Sequence, residues 1–252
     1  MHVEDVVTDT GFLKMREHSH NPDDIRTRLE EGPKANYLRE WVYGGIDGVI
    51  TTFAIVAGVV GAELSPMIVV ILGFANLIGD GFSMAAGAFT STKADLDLYD
   101  HLKQIEEHHI ANNPEGEKEE IRQIYAKKGF KGDDLERVVK VITKDKTVWV
   151  DVMMQEEYGV GAFQKDPWKT GGCTFLAFVL CGLIPLLPFV LDVPAAFICS
   201  AVFACSTFFI IGSVKSYWSR HGWVRQGVET ALIGSIAASL AYLIGYGLRS
   251  IG

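Results

Sequence analysis

Three short segments of the chain carry metal-ligating side chains at helical spacing. Glu106 and His109 stand at i, i+3, with Glu107 and His108 beside them. Glu117 and Glu120 repeat that spacing, and Met153 and Glu157 stand at i, i+4 next to Met154. Residues three or four apart share one face of a helix, so each pair could offer two ligands to one ion. Carboxylate, imidazole and thioether together suit Fe²⁺, Mn²⁺, Co²⁺ or Zn²⁺ better than Ca²⁺ or Mg²⁺, which take oxygen alone. For any single pair the better reading is a solvated acidic face, and the methionines could simply be core. Their combination on three segments favours a shared metal site.

A second group of acids lies in an unlike setting. The stretch ILGFANLIGDGFSMAAGAF, residues 71–89, is apolar enough for lipid yet carries Asp80, and the run YGGIDGVITTF carries Asp47. A charge at the bilayer centre costs roughly 2.5–3.5 kcal/mol on insertion scales. Gly73, Asn76, Asp80, Met84 and Gly87 fall on one helical stripe of polar and small residues, and Gly44, Asp47, Thr51 and Gly58 on another. Two such stripes on neighbouring spans point to an ion or proton path. The alternative is a pair of structural acids hydrogen-bonded across a helix interface. Counted from one membrane face, Asp47 lies roughly 9 Å deep and Met84 roughly 12 Å deep, at about 1.5 Å per residue. Carboxylate and thioether then meet at similar depth, a passing site for a borderline divalent cation.

Long apolar blocks must position these residues. Of 252 residues 48% are hydrophobic, and the mean hydropathy is +0.19. Five runs approach the 20 or so residues that cross a bilayer: about 41–62, 67–89, 170–191, 194–214 and 224–248. The expected fold is therefore an all-α integral membrane protein with five transmembrane helices. The expected organisation is an N-terminal arm over 1–40, spans one and two over 41–90, a helical metal-binding domain over 91–165, and spans three to five over 166–252. The second span has no stop signal and should continue as helix until Asn112-Asn113-Pro114. Pro185 and Pro188 should kink the third. Gly227, Ala231, Gly234, Ala238, Ala241 and Gly245 give the fifth a small-residue ridge for close helix packing.

Lysine and arginine placement sets the expected orientation. Arg26, Arg28, Lys34 and Arg39 mark the arm, the inserted segment is lysine-rich, and the loop KSYWSRHGWVR is basic, whereas ELSP and DVP carry no cation. The N-terminus and inserted domain are thus expected in the cytoplasm, with no cleavable signal peptide ahead of them. Cys173, Cys181, Cys199 and Cys205 all fall in spans without CxxC spacing, which argues against a disulfide framework or zinc site. A net charge of −8 argues against a nucleic-acid partner.

Taken together, YGGIDGVITTFAIVAGVVGA, FSMAAGAF running into a charged helix, and WVDVMMQEEYG followed by DPWKTGG resemble the vacuolar iron transporter family. The resemblance runs from about Leu38 to the C-terminus. It implies a homodimer in the plasma or vacuolar membrane that moves Fe²⁺, and often Mn²⁺, out of the cytoplasm in exchange for protons. It matches the family's membrane-site aspartate and methionine to Asp47 and Met84. It matches the cytoplasmic metal-binding glutamates to Glu106, Glu117, Glu120 and Glu157, and the methionines to Met153 and Met154. Two positions depart: Asn76 stands where plant members carry glutamate, and His109 where an acid is frequent.

Two rival functions leave the spans' acids without work. A membrane-bound di-iron carboxylate oxidase would use Glu106-x-x-His109, but needs a second ExxH with bridging glutamates. A metal-sensing membrane protein would need only the inserted domain. The expectation is a transporter and not an enzyme, with no prosthetic group. Divalent metal is its cargo, protons are the coupling ion, and the bilayer and a second copy are its partners.

Overall fold

The computed structural model describes residues 19–161, 165–216 and 222–249. The first part of the arm and the segment of the basic loop that holds Arg220 lie outside the described residues. Within them every regular element is helical. Five helices are long and apolar enough to cross a membrane, which makes the chain a multi-pass, all-α membrane protein. Its described residues fall into two compact units, one up to Ala88 and from Trp168 onward, the other Phe89–Pro167.

Helix α1 (Pro22–Glu31) starts where the Asn21 side chain accepts from the Asp23 amide, with Pro22 at the first turn and acids next to it. These are the expected N-terminal signals. No residue of α1 is buried. Helix α2 (Leu38–Gly61) forms the first span. Helix α3 (Pro66–Asn112) contains the second span and continues without a break to the asparagine-proline stop.

The membrane unit is held by close backbone approach. A Cβ at Gly48 of α2 would collide with the Phe178 carbonyl, and one at Gly44 with that of Thr174. Both partners lie on helix α7 (Pro167–Leu183). Glycine is required here because any side chain would drive the two helices apart. The core gathers Val49, Phe53, Val56, Leu77, Phe178, Leu186 and Phe208. Helix α9 (Ala196–Lys215) and helix α10 (Trp223–Leu248) complete the bundle. The small-residue ridge of α10 packs inside the subunit, with Gly245 against Gly58 of α2 and Gly234 against the Phe208 ring of α9.

The third span is broken where its prolines fall. After α7 a 3₁₀ turn covers Ile184–Leu186, followed by the single-turn helix α8 (Leu187–Val190). Proline removes an amide donor and leaves a carbonyl unmatched. The Ser200 hydroxyl donates to the Pro185 carbonyl at 2.7 Å, repairing the break from α9. The four cysteines are free thiols.

The inserted unit adds three short helices to the end of α3. Helix α4 (Pro114–Lys127) is capped by Asn113, which accepts from the Gly116 amide. Helix α5 (Gly132–Ile142) follows a turn with positive φ at Gly129 and Gly132. Helix α6 (Lys146–Glu156) is capped by Asp145, which accepts from the amides of Thr147 and Val148. Tyr99, Ile110, Ile121, Val139, Ile142, Trp149 and Val150 form a separate hydrophobic core, to which Met153 and Met154 also belong.

Candidate functional site

The candidate residues divide between the two units. In the membrane unit, α2 supplies Asp47 and α3 supplies Asp80 and Met84. Asp47 is half-buried and Asp80 exposed on the single chain. The two carboxylates act on each other electrostatically. Neither forms a hydrogen bond or ion pair among the described residues. Met84 is half-buried against the membrane core, a turn beyond Asp80.

A polar contact joins the stripes of α2 and α3. The Asn76 amide donates to the Thr51 hydroxyl at 3.1 Å, and that hydroxyl donates to the Asp47 backbone carbonyl at 2.9 Å. The single Thr51 hydroxyl proton is committed by this arrangement and is not donated to the Asp47 carboxylate. Asn76 therefore has a definite local role: it ties α3 to α2 beside the acid.

In the inserted unit, Glu106 is fully buried and neither of its side-chain oxygens has a hydrogen-bond partner among the described residues. Glu117, on α4, is also buried, with one oxygen unpartnered and the other 3.7 Å from His109 Nδ1. Glu120 and Glu157 are more exposed. Burial, reinforced by the carboxylates of Glu117, Glu157 and Glu120, pushes the Glu106 carboxyl up to about 8. Burial and the neighbouring acids also raise Glu120, while His109 opposes the rise. Burial raises Glu157 too, most strongly seconded by Glu117, with His109 and the Tyr158 hydroxyl opposing. Four carboxylates and one imidazole thus share one electrostatic environment.

Tyr158 was not among the expected site residues. Burial and then the charges of Glu157, Glu106, Glu117 and Glu120 push its phenol up to about 12. Its signal in the sequence is adjacency, since it directly follows Glu157 in QEEYG. Met153 and Met154 are buried in the unit's core. Among the described residues no three His, Cys, Asp or Glu side chains are gathered as a metal site requires. The glutamates are therefore close enough to raise one another's proton affinity without being drawn into a coordination sphere. A buried carboxyl in this position binds a proton or a cation, because an unpaired charge there is costly.

Known proteins match this layout over most of its length. The profile of the VIT family matches residues 38–246, which takes in all five spans and the inserted unit. The chain belongs to the VIT family. A relative described as "Vacuolar iron transporter" in Toxoplasma gondii is 37% identical over 223 residues, covering 84% of this chain and 74% of that protein. One of the same description in Plasmodium berghei is 32% identical over 249 residues, covering 94% of this chain and 90% of the relative. "Vacuolar iron transporter 1" of Arabidopsis thaliana is 32% identical over 212 residues, covering 82% and 84%. In this VIT-family chain the matched region begins at Leu38, the first residue of α2. The arm and α1 lie outside it.

Proposed function

We propose that this chain transports Fe²⁺, with Mn²⁺ and related divalent transition metals as further cargo, out of the cytoplasm in exchange for protons. Relatives described as vacuolar iron transporters support iron as the cargo. The observation that carries the reading is the pair Asp47 and Asp80, two acids within apolar spans that no hydrogen bond or ion pair occupies among the described residues. A permanently structural acid would be expected to hold such partners. The Met84 thioether, a turn beyond Asp80, is the further ligand we assign to the membrane path.

In this reading the inserted unit is a cytoplasmic collecting site. Glu106, Glu117, Glu120, Glu157 and His109 close on an arriving cation, and Met153 and Met154 supply thioethers from the adjoining core. Glu106 gives up its proton as metal binds, since a ligating carboxylate must be ionised. The cation then passes to Asp47, Asp80 and Met84, where carboxylates alternate between metal and proton. Basic residues flanking the spans support a cytoplasmic N-terminus in a vacuolar or plasma membrane. An exposed Asp80 on a lipid-facing helix supports a homodimer, because a second copy would cover it or enclose water beside it. The acids of the spans favour this transport over an oxidase or a sensor.

The test uses the full chain in sealed proteoliposomes with an imposed pH gradient. Fe²⁺ flux that depends on the gradient and moves protons oppositely is the expected result, with Mn²⁺, Co²⁺ and Zn²⁺ ranking the cargo. Absence of metal flux, or flux indifferent to the gradient, would overturn the respective half of the proposal. Replacing Glu117 and Glu120 together by alanine should lower the number of metal ions bound while the helical content stays the same.

A further inference from the structure

One cavity in the membrane unit takes no part in the metal path. It has a volume of about 540 Å³ and lies between the first turns of α2 and the last turn of α9. Leu38, Val42 and Ile46 form its apolar wall on α2, and Arg39 and Lys215 stand as cations beside it. Asn36 and Tyr43 complete the lining, which among the described residues includes no acid. Neither Arg39 nor Lys215 has an ion-pair partner among the described residues. Asn36 is engaged elsewhere, accepting from the Leu38 amide at 2.9 Å.

The cavity's depth and polarity are graded along the membrane normal. Helices α2, α7 and α10 begin, and α9 ends, at the same face of the bundle. Exposed Trp41, Tyr43, Trp168 and Trp223 cluster at those ends, as aromatic side chains do at headgroup level. Arg39 sits at that level. Val42 and Ile46 lie deeper, Ile46 roughly 12 Å from Leu38 along the helix at about 1.5 Å per residue. Two cations with no ion-pair partner among the described residues thus stand at headgroup depth beside an apolar groove running into the hydrocarbon.

We propose that this groove binds one anionic phospholipid, with its phosphate held by Arg39 and Lys215 and an acyl chain lying along Val42 and Ile46. Charge selects an anionic headgroup over a zwitterionic one. The apolar groove gives an acyl chain a surface that a free anion would not use. The proposal is independent of which ion the protein moves.

Its test uses the full-length chain in mild non-ionic detergent, titrated with phosphatidylglycerol or with phosphatidylcholine of the same acyl chains, bound lipid being read by native mass spectrometry. Each cation near an anionic headgroup contributes about fivefold in affinity, so a preference for phosphatidylglycerol on the order of 25-fold is expected. The double substitution Arg39→Gln with Lys215→Gln should abolish that preference. Val42→Trp, which fills the groove, should weaken both lipids alike. Equal binding of the two lipids, or a preference that survives the double substitution, overturns the proposal. So does displacement of phosphatidylglycerol by millimolar inorganic phosphate, which would make the site a plain anion site. In the unsubstituted protein, a phosphatidylglycerol with a photoreactive acyl chain should label the peptide containing Val42 and Ile46. Labelling confined to other peptides overturns the proposal without reliance on any variant. Disulfide formation between two Tyr43→Cys copies would place a second chain in the groove and overturn it as well.

Discussion

The two acidic regions of this protein solve one problem by opposite means. Asp47 and Asp80 have short side chains on small-residue stripes of spanning helices, and Asp80 is exposed on the single chain. Glu106 and Glu117 are long side chains enclosed by the protein itself, Glu106 completely. The first pair meets the low dielectric of lipid, where the cost of charge must be relieved by water, a partner or a passing ion. The second meets a protein core, where burial pushes the Glu106 carboxyl up and the same cost is relieved there by taking up a proton. One region is therefore suited to let ions go by, and the other to hold something until it is displaced. A single chain gains both properties by prolonging one spanning helix, α3, so that it carries Asp80 and Glu106 on the same continuous element.

The sharpest way to separate the regions is to remove the charge from one alone. Asp47→Ala should reduce metal flux into proteoliposomes by roughly 100-fold, the equivalent of about 2.8 kcal/mol. Metal bound by the inserted unit, measured by calorimetry, should be unchanged. A parallel fall in both quantities would mean that the two regions are not distinct sites. Asp47→Asn keeps the shape and removes the charge, and should behave as the alanine variant does.

The next effect belongs to the enclosed acid. A carboxyl raised from 4.5 to about 8 is protonated in the fold over a range where the unfolded chain has released its proton. The folded state then binds more protons, so stability falls as pH rises. The contribution is fully present below pH 4.5, declines through the interval and is gone by about pH 8. Glu106→Gln is neutral throughout. It should flatten that decline and leave the metal-free protein more stable near pH 8 by on the order of a few kcal/mol. Glu120 and Glu157, shifted in the same direction, should leave a smaller residual slope. Thermal unfolding of both proteins across this range checks the sign. The same substitution should weaken metal binding about tenfold or more.

Much of this fold was legible because lipid imposes a length and a composition. The five apolar runs correspond to the five membrane-type helices, with ends within a few residues except where α3 runs on, as the lack of a stop signal implied. Asn112-Asn113-Pro114 marked the end of α3 through local chemistry that needs no tertiary context. The broken third span was readable from Pro185, but its repair by Ser200 was not, since a contact between helices leaves no trace in local spacing. The acids illustrate the same limit. Their helical spacing put each pair on one face, yet spacing could not reveal that Glu106 would be buried completely while Glu120 stayed exposed. Tyr158 was passed over because a tyrosine beside a glutamate is common, and only the fold surrounds it with four carboxylates.

Asn76 tests whether geometry or charge governs the membrane region. Its bond to Thr51 is worth about 1 kcal/mol, so Asn76→Ala should lower the melting temperature by about 2–4 °C. Flux should fall only about threefold, since the acids themselves remain. A loss as deep as that of Asp47→Ala would assign Asn76 to the ion path itself.

The smallest expected effect lies back in the inserted unit, at Tyr158. Its hydroxyl favours the ionised form of Glu157, against the rise caused by burial and Glu117. Tyr158→Phe removes that help, so Glu157 should hold its proton to a higher pH. A metal ion must then displace the proton, and apparent affinity should drop by about two- to fivefold on the acid side of the profile, within the usual worth of one hydrogen bond. At a pH high enough to ionise Glu157 in both proteins the difference should vanish. A deficit equal across the profile would show that the hydroxyl acts through packing or direct contact with the metal instead.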